Sequence, residues 1–317
     1  MGMKNCILGI DTSNYTTSIA VIDEKGNLLF DQRKVLAVKH GERGLRQSDA
    51  LFQHLVNMPI LFEAVAPLLK EHRIQTVAIS NRPRPIEGSY MPVFRAAQSF
   101  GQTIAYTLNC ACKEFSHQEN HIEAGKWSTQ QTLGDKFIAV HISGGTTEIL
   151  EVRDNPMGGY HTEIVGGTLD ISAGQFIDRI GVKLGLQFPA GKFMDALAKT
   201  AEEDVRLSLS VKDTYISFSG PETMANKLTE QNIAPDLIAK AVFQCVGDAL
   251  KKATINSCLR RGINEVLFVG GVASSQYIRN FLVKSLSHAK IKAYFSDSRY
   301  CTDNAVGTAL LAIKNKS

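Results

Sequence analysis

The sequence predicts an α/β protein of two lobes that face each other across a cleft. The chain has 317 residues, of which 44% are hydrophobic, and this is enough for two domains with separate cores. A pattern of three short apolar runs followed by helical segments occurs twice along it. In both copies a polar turn separates the first two runs, and a Thr-Thr pair, Thr16-Thr17 or Thr146-Thr147, falls at the same place. We therefore expect two related units, each of the β-β-β-α order, closing over a shared ligand.

The first unit begins with a strand, a tight polar turn and a second strand. Hydrophobic periodicity and turn residues then predict further strands, a long amphipathic helix and a helix that carries two histidines. The predicted strands are residues 5–10, 18–22, 28–38, 76–80 and 106–111, and the predicted helices are residues 48–72, 96–106 and 114–124.

A polar stretch, residues 125–135, predicts a linker, and the opening pattern then returns. The predicted strands of this half are 137–142, 148–152, 160–165, 265–269 and 291–296, and the helices are 170–199 with a break at 188–191, 236–261, one that follows the glycine turn 270–275, and 303–314 from a Thr302-Asp303 cap. The predicted domains are a first lobe, 1–125, completed by the C-terminal helix 302–317, and a second lobe, 136–300, with a helical insertion.

Composition excludes some classes of protein and leaves others open. No apolar run approaches the roughly 18 residues of a membrane helix, and the start has no signal-peptide pattern, so we expect a cytoplasmic protein without a membrane partner. Six cysteines without a C-x-x-C pair favour buried thiols. The net charge of +4 allows a polyanionic partner without requiring one. Basic residues gather in two groups, for which a solvated surface is the simpler explanation: Arg33, Lys34, Lys39, His40, Arg43 and Arg46, and then Arg82, Arg84 and Arg95.

His117 and His121 are four residues apart. On a helix they lie on one face, about one turn apart, and can bind one metal ion while Glu119 points elsewhere. Solvated pairs also occur at this spacing by chance, so the pair alone does not establish a metal site. A third ligand is needed, and the best candidate is in the segment Cys301-Thr302-Asp303-Asn304-Ala305.

Glycine-rich turns suggest that the cleft binds a nucleotide. Backbone N–H groups in such turns can point at phosphate oxygens, and a missing Cβ lets the backbone approach them. Gly144 and Gly145 offer this in the second unit, and Gly270 and Gly271 precede a helix N-terminus. A single turn of this kind would be explained as a turn without a ligand. Three in this order, counting the polar hairpin of the first unit at residues 11–17, favour nucleotide binding.

The sequence also resembles a known family, through motifs spread over nearly the whole chain. The motifs are Gly9-Ile-Asp-Thr-Ser13, His117-x-Glu119-x-His121, Ile142-Ser-Gly-Gly145, Thr168-Leu-Asp170 with Gly174 and Phe176-Ile-Asp178, Ser217-Phe-Ser-Gly220, Val269-Gly-Gly-Val-Ala273 and Thr302-Asp-Asn-Ala305. In order and spacing they resemble the tRNA threonylcarbamoyladenosine transferases, the TsaD family, long described as O-sialoglycoprotein endopeptidases. The resemblance implies the two-lobed actin-like ATPase fold shared by sugar kinases and heat-shock ATPases (ASKHA), with two duplicated RNase H-like lobes around a central cleft.

The resemblance further implies which residues form the site. It implies the metal ligands His117, His121 and Asp303, for iron or zinc, with magnesium as the alternative. It places catalytic residues in the first hairpin, at Asp11, Thr12 and Ser13. It assigns ATP, AMP or threonylcarbamoyl-AMP to the residues His141, Ile142, Ser143, Gly144, Gly145, Asp178, Gly191, Asp195, Gly270, Gly271 and Ser275.

The implied reaction is acyl transfer. In the family, threonylcarbamoyl-AMP made by a separate synthase gives its threonylcarbamoyl group to the exocyclic amine of the adenosine beside the anticodon of tRNA. Positioning and electrostatics then matter more than a covalent nucleophile. The implied partners are tRNA and TsaB-like and TsaE-like accessory proteins, or a second copy of the chain.

Several cleft positions depart from the family's pattern. Tyr15 and Thr16 replace an acidic pair in the first hairpin, and the segment Arg82-Pro83-Arg84-Pro85 replaces Gly-Pro-Gly-Leu. Thr146 stands in place of a histidine and Ser275 in place of an asparagine. These changes support a second interpretation, a divergent paralogue that keeps metal and nucleotide binding but uses another acceptor or reaction.

Other classes remain as alternatives. A non-catalytic partner of a TsaD-type complex is disfavoured because the three metal ligands are present. A phosphotransferase of the sugar-kinase type needs a catalytic aspartate, and no motif identifies one beyond Asp11. Peptidase activity is disfavoured because Glu119 in H-x-E-x-H is not placed like the base of H-E-x-x-H.

Overall fold

Two β-sheets, one in each lobe, organise the protein. The structure, a computed structural model of the chain, describes residues 3–13, 15–38 and 44–314. The strands of the first sheet are β1 (Lys4–Ser13), β2 (Thr16–Asp23), β3 (Leu28–Val35), β4 (His72–Arg82) and β5 (Ala111–Ser116). Their order is β3-β2-β1-β4-β5; β1 to β3 form an antiparallel meander, β4 is parallel to β1, and β5 is parallel to β4.

The second sheet repeats this plan with additional strands at one edge. Its strands are β6 (Lys136–Ile142), β7 (Thr147–Asp154), β8 (Tyr160–Thr168), β9 (Val211–Lys212), β10 (Tyr215–Ile216), β11 (Glu265–Val269) and β12 (Lys292–Phe295). The order is β12-β11-β6-β7-β8-β10-β9, in which β6 to β8 are antiparallel, β11 runs parallel to β6, and β12 runs parallel to β11. The order β8-β7-β6-β11-β12 therefore corresponds to β3-β2-β1-β4-β5, which is the predicted duplication.

Helices cover the two sheets and fill the space between them. They are α1 (Gln47–Leu69), α2 (Phe94–Leu108), α3 (His117–Ser128), α4 (Ala173–Lys183), α5 (Gly191–Ala198), α6 (Ser219–Glu230), α7 (Pro235–Arg261), α8 (Gln276–His288), α9 (Ser298–Cys301) and α10 (Val306–Lys314), with a 3-10 turn at Gly271–Ser274. Apolar side chains of β1, β2 and β4 form one core with α1 and α2. A larger core joins the second sheet to α4, α7 and α8.

A third apolar cluster lies between the sheets and contains α3 and α10. β1 is buried on both faces because Leu8 and Ile10 point into the first core, whereas Ile7 points into this third cluster. α10 approaches its neighbours closely. A Cβ on Gly307 would overlap the carbonyl oxygen of Asn120 in α3, and a Cβ on Gly9 would lie 2.5 Å from the carbonyl oxygen of Ala305. Backbone thus packs on backbone here, which fixes α10 against α3 and the loop before α10 against β1.

The structure corrects three of the predicted elements. The helix expected at residues 114–124 begins only at His117, because residues 114–116 belong to β5, and it continues to Ser128, into the predicted linker. The strand expected at residues 106–111 is wrong, because α2 continues to Leu108 and ends at Asn109, which has a left-handed backbone (φ 48°). The last helix begins at Val306 rather than at residue 303. The reason is a turn before it, in which Asn304 Oδ1 accepts from the N–H of Val306.

The expectation that no segment could span a membrane is also corrected. By length and composition alone, α1 is long and apolar enough to do so. It carries the buried polar residues His54 and Asn57, which contact Thr17 of β2. In this structure α1 is a helix of the first lobe that packs one face on the sheet.

Two further expectations are not resolved by the fold. The domain boundaries at residues 125, 136 and 300 stay a prediction. Of the first basic group, Lys39, His40 and Arg43 lie outside the described residues.

Candidate metal and nucleotide site

The N-terminus of α3 places the two histidines at the cleft. Ser116 and Glu119 form a capping box: the Ser116 hydroxyl accepts from the N–H of Glu119, and the Glu119 carboxylate accepts from the N–H of Ser116 at 2.8 Å. The helix therefore starts at His117, and His121 follows one turn later. The other oxygen of Glu119 accepts from the N–H of Tyr160 at 3.1 Å, so this carboxylate is occupied away from the histidines.

Asp303 joins the histidines across the molecule. One ligand atom from each of His117, His121 and Asp303 lies within 4.8 Å of the others. Asp303 Oδ1 is 3.5 Å from His117 Nε2 and 3.3 Å from His121 Nε2. Asn120, between the histidines, holds the Asp303 loop because its amide donates to the carbonyl oxygen of Asn304 and accepts from the N–H of Thr308. The three side chains that the resemblance implied as ligands are thus brought together.

Asp11, near the end of β1, contacts the ring nitrogen of His117 that does not face Asp303. His117 Nδ1 lies 2.8 Å from Asp11 Oδ2, and a carboxylate can only accept, so the proton stays on Nδ1 and Nε2 is turned toward Asp303. Burial lowers the pKa of His117, but the carboxylates of Asp11 and Asp303 outweigh burial and raise that pKa to about 10. One positive charge among these two carboxylates is therefore electrostatically favoured.

A third imidazole, that of His141, completes the cluster from the second lobe. Its ring centroid is 4.9 Å from that of His121, and the His121 centroid is 4.5 Å from that of His117. Burial lowers the pKa of both His121 and His141, which keeps the imidazoles neutral, the form that ligates metals. Among the described residues, the ring nitrogens of His121 and His141 have no hydrogen-bond partner, although His121 Nε2 lies 3.3 Å from Asp303 Oδ1. Buried polar atoms are almost always satisfied, so these orphaned nitrogens fit a bound divalent ion.

The second hairpin forms a rigid turn whose glycines face open space. The N–H of Ser143 donates to the carbonyl oxygen of Thr146 at 2.8 Å, and the Ser172 hydroxyl donates to the carbonyl oxygen of Gly144 at 2.9 Å. A Cβ added to Gly144 or to Gly145 would meet nothing within 4 Å. These glycines are therefore not required by packing, as expected of a turn that admits a ligand to its backbone.

Ile142 has a different role from the turn that follows it. It is a buried core residue at the end of β6. The structure therefore places its side chain in the core of the second lobe.

Asp178 lies in α4 beside the start of α5. Its Oδ1 accepts from the N–H of Ala190 at 2.8 Å. Burial raises the pKa of Asp178 to about 6, although the N–H groups of Ala190 and Gly191 oppose the shift. A Cβ on Gly191 would meet nothing within 4 Å, so the space beside this carboxylate is open. In that space the Asp178 carboxylate can accept hydrogen bonds from the hydroxyl groups of a ribose.

Asp195 and Ser275 are engaged with each other. The Ser275 hydroxyl donates to Asp195 Oδ1, which also accepts from the N–H of Tyr277 at 3.1 Å. Gly270, with φ 95°, packs its backbone on the carbonyl of Ile142, whereas Gly271 faces open space. Of these two glycines, Gly271 is therefore the one beside which the structure leaves space for a ligand.

The three residues of the first hairpin have different surroundings. Asp11 contacts the cluster directly. The Thr12 hydroxyl donates to the carbonyl oxygen of Val93 at 2.9 Å and accepts from the N–H of Ala97, which ties β1 to the start of α2. The N–H of Ser13 donates to Asp11 Oδ1 at 3.0 Å, and its hydroxyl is buried without a partner among the described residues.

The structure adds two contacts across the cleft that the sequence did not predict. The ring of Tyr15 lies 6.2 Å from that of Phe188 of the second lobe, and burial together with nearby carboxylates raises the pKa of the Tyr15 hydroxyl. Arg84 of the first lobe forms an ion pair with Glu148 of β7. The only signal in the sequence was that Tyr15 and Arg84 both depart from the family's pattern.

The fold defines the class of this protein. Structures with similar folds include full-length HypF in a phosphate- and nucleotide-bound form (TM-score 0.62, 14% identity, 99% of this chain and 46% of that chain) and component A of the (R)-2-hydroxyglutaryl-CoA dehydratase of Acidaminococcus fermentans (TM-score 0.60, 15% identity, 98% of both chains). A ROK-family glucokinase from Streptomyces griseus has a TM-score of 0.53 at 11% identity, covering 96% of this chain and 98% of that chain. The chain therefore has the two-lobed actin-like ATPase fold.

Sequence comparison identifies the particular family. Residues 42–310 match the family model described as TsaD, tRNA N6-adenosine threonylcarbamoyltransferase. Relatives of that name include proteins of Archaeoglobus fulgidus (27% identity, 94% of this chain and 87% of the relative) and of a Sulfurihydrogenibium species (30% identity, 97% and 90%). A probable bifunctional tRNA threonylcarbamoyladenosine biosynthesis protein of Methanothermobacter thermautotrophicus is 28% identical over 96% of this chain and 54% of its own length. The chain belongs to the TsaD family.

Proposed function

We propose that this protein transfers the threonylcarbamoyl group from threonylcarbamoyl-AMP to the adenosine beside the anticodon of tRNA, with one divalent metal ion at His117, His121 and Asp303. Family membership supports a transferase that acts in tRNA modification. The observation that carries the finer proposal is a buried cluster of imidazoles and carboxylates beside an open glycine turn. His141, whose ring nitrogens lack partners among the described residues, is the fourth residue available to the metal.

The proposed transfer balances without a covalent enzyme intermediate. The exocyclic nitrogen of adenosine forms a bond to the carbamoyl carbon, the bond from that carbon to the phosphate oxygen breaks, AMP leaves, and the amine releases one proton to solvent. A bound divalent ion would supply Lewis-acid polarisation and charge neutralisation. In this proposal the backbone N–H groups of Gly144 and Gly145 would donate to phosphate oxygens, and Asp178 would accept from ribose hydroxyls. Asp11 holds the Nδ1 proton of His117 and so orients that ring.

Transfer of a labelled threonylcarbamoyl group to unmodified tRNA tests the reaction. Purified threonylcarbamoyl-AMP is supplied directly, with and without the accessory proteins of the family, so that failure of the separate synthase cannot be confused with failure of this protein. We expect incorporation that depends on divalent metal. The variant Tyr15→Asp with Thr16→Glu, which restores the family's acidic pair, is measured beside it. No transfer by either protein, with the adenylate still bound, would reject the proposed acceptor.

The metal ligands are tested separately by elemental analysis of the purified protein. His117→Ala with His121→Ala should remove stoichiometric metal, because two of the proposed ligands are lost. The matched control is His161→Ala with His288→Ala, which removes two exposed histidines that do not belong to the cluster. Equal metal content in both double variants would remove the metal from the mechanism.

A second candidate is a paralogue that uses another acceptor. The observation in its favour is that Tyr15 and Arg84 fill the cleft with side chains paired across it, to Phe188 and Glu148. This candidate predicts that threonylcarbamoyl-AMP binds and tRNA is not modified.

We further propose that α1 binds an accessory protein of the TsaB type or a second copy of the chain, in the cytoplasm. The exposed side of α1 carries four large apolar side chains, Phe52, Leu55, Val56 and Ile60, of which Phe52 is 66% exposed. Light scattering of the purified protein, alone and with candidate partners, tests this; Phe52→Asp should abolish any complex. A complex that survives Phe52→Asp would place the interface elsewhere.

A further inference from the structure

Residues 82–95, here called the arginine segment, border the metal cluster and are fixed there from several sides. The N–H of Gln118, next to His117, donates to the carbonyl oxygen of Pro83 at 3.0 Å. The ring of Phe94 lies 5.9 Å from that of His117. The hydroxyl of Thr12, in the first hairpin, donates to the carbonyl oxygen of Val93. The segment therefore forms one edge of the site rather than a remote loop.

The segment is strongly basic. It contains Arg82, Arg84 and Arg95 but a single acidic residue, Glu87. Arg84 is paired with Glu148 across the cleft. The other two guanidinium groups are bound to neutral amides instead of carboxylates, Arg82 to Asn81 at 3.0 Å and Arg95 to Gln98 at 2.7 Å. Two positive charges at the edge of the site thus have no ion-pair partner within the described part of the chain.

An exposed aromatic ring accompanies these charges. Tyr90 is 60% exposed, and the guanidinium of Arg95 lies 5.5 Å from its ring centroid. Ile86, also in the segment, is 50% exposed and lines an open depression together with Arg82, Pro85 and Ser89. Exposed large apolar groups next to uncompensated cations favour a ligand that is both anionic and planar.

We propose that the arginine segment binds a single-stranded stretch of the RNA acceptor, with Arg82 and Arg95 on phosphates and Tyr90 stacked on a base. This inference rests on the proposed function, in which an unpaired adenosine must reach the metal cluster. Arginine charges and aromatic stacking are the two contacts that proteins use for single-stranded nucleic acid. An acidic peptide would use the charges without requiring the ring, and the test below separates the two.

Binding of a labelled RNA hairpin with an unpaired adenosine in its loop tests the inference, by fluorescence anisotropy at several salt concentrations. Arg82→Ala with Arg95→Ala should weaken binding roughly tenfold or more. It should also reduce the slope of log affinity against log salt by about 1.4, because two phosphate contacts are lost at about 0.7 each. Tyr90→Ala should weaken binding about tenfold, the loss of one stacked base, and leave the salt slope unchanged.

The matched control removes two exposed cations of the second lobe, Arg206→Ala with Lys284→Ala, and should leave the affinity within about twofold. Inorganic polyphosphate and an acidic peptide serve as probes of charge alone. RNA affinity that falls equally in the control, or that does not respond to Tyr90→Ala, overturns the inference. If Arg82→Ala with Arg95→Ala loses binding of the acidic peptide but keeps binding of the RNA, the inference is overturned as well.

Failure of this inference and failure of the proposed function give different results. Metal content and AMP binding should be unchanged in all of these variants. If the unaltered protein binds the hairpin through the arginine segment but transfers no threonylcarbamoyl group, the proposed reaction fails alone. If it modifies tRNA while Arg82→Ala with Arg95→Ala binds and modifies tRNA like the unaltered protein, the inference fails alone.

Discussion

The turns of the β1–β2 and β6–β7 hairpins occupy equivalent places in the two lobes, yet they are built from different atoms. The first turn fills its surroundings with side chains: Thr12 binds α2, Asp11 binds His117, and Tyr15 reaches the second lobe. The second turn presents bare backbone at Gly144 and Gly145, where an added Cβ would meet nothing within 4 Å. The first turn thus supplies a carboxylate to the cluster and other side-chain contacts, whereas the second turn leaves space for a ligand.

The largest expected effect comes from Gly174, which packs closely against the backbone of the second turn. A Cβ on Gly174, at the start of α4, would lie 2.4 Å from the carbonyl oxygen of Ser143 and 2.6 Å from Cα of Gly144. Both atoms are backbone and cannot rotate away, so Gly174→Ala should lower the free energy of unfolding by about 3 kcal/mol in urea denaturation. Gly144→Ala is the matched control and should change it by less than about 0.5 kcal/mol. Equal losses would show that the second turn is not open.

The next effect concerns the charge supplied by the first turn. Asp11→Asn removes the carboxylate that accepts from His117 Nδ1, and loss of such an outer partner typically lowers metal affinity by about 10- to 100-fold. Competition with a chelator measures this. The control is Asp154→Asn, an exposed carboxylate at the end of β7. Unchanged affinity in Asp11→Asn would mean that Asp11 does not orient the ligand.

A smaller effect should appear in the pH dependence of stability. The pKa of Asp178, raised by burial to about 6, is above its ordinary value of 3.8, so folding favours the protonated form. Its contribution to stability is present below pH 3.8 and is lost as the pH rises through about 6. Between about pH 5 and about pH 7 the unaltered protein should therefore lose about 1 kcal/mol more than Asp178→Asn, which stays neutral. Parallel urea-denaturation profiles would contradict a buried Asp178.

The smallest effect tests whether the first turn contacts the other lobe in solution. A double-mutant cycle of Tyr15→Ala and Phe188→Ala should give a coupling free energy of about 1 kcal/mol, typical of an aromatic pair. A coupling near zero would mean that the two rings do not stay in contact.

Much of this architecture could be predicted from periodicity. The strand expected at 265–269 is β11. Its ends could be predicted because the apolar run is short and has turn or polar residues on both sides. The strand expected at 106–111 failed because the backbone of Asn109, which ends α2, is not visible in a hydrophobic pattern. Helix ends depend on caps, and caps depend on a few atoms rather than on a period.

The site was only partly predictable. The spacing of His117 and His121 places both on one face of a helix, but nothing local indicates that Asp303 folds back to them; that came from the family resemblance. The position of His141 did leave a signal. Alternation along β6 puts His141 on the face of Phe137 and Ala139, which belong to the cluster around α3.

The contact of Asn120 with the loop before α10 has a consequence for synthesis. His117 and His121 leave the ribosome long before Asp303, and Asn120 can bind Asn304 and Thr308 only when that later segment has emerged and folded back. During translation the two imidazoles are therefore present with Asp11 but without Asp303. A metal ion that requires all three side chains could therefore be held only after this later segment has folded back.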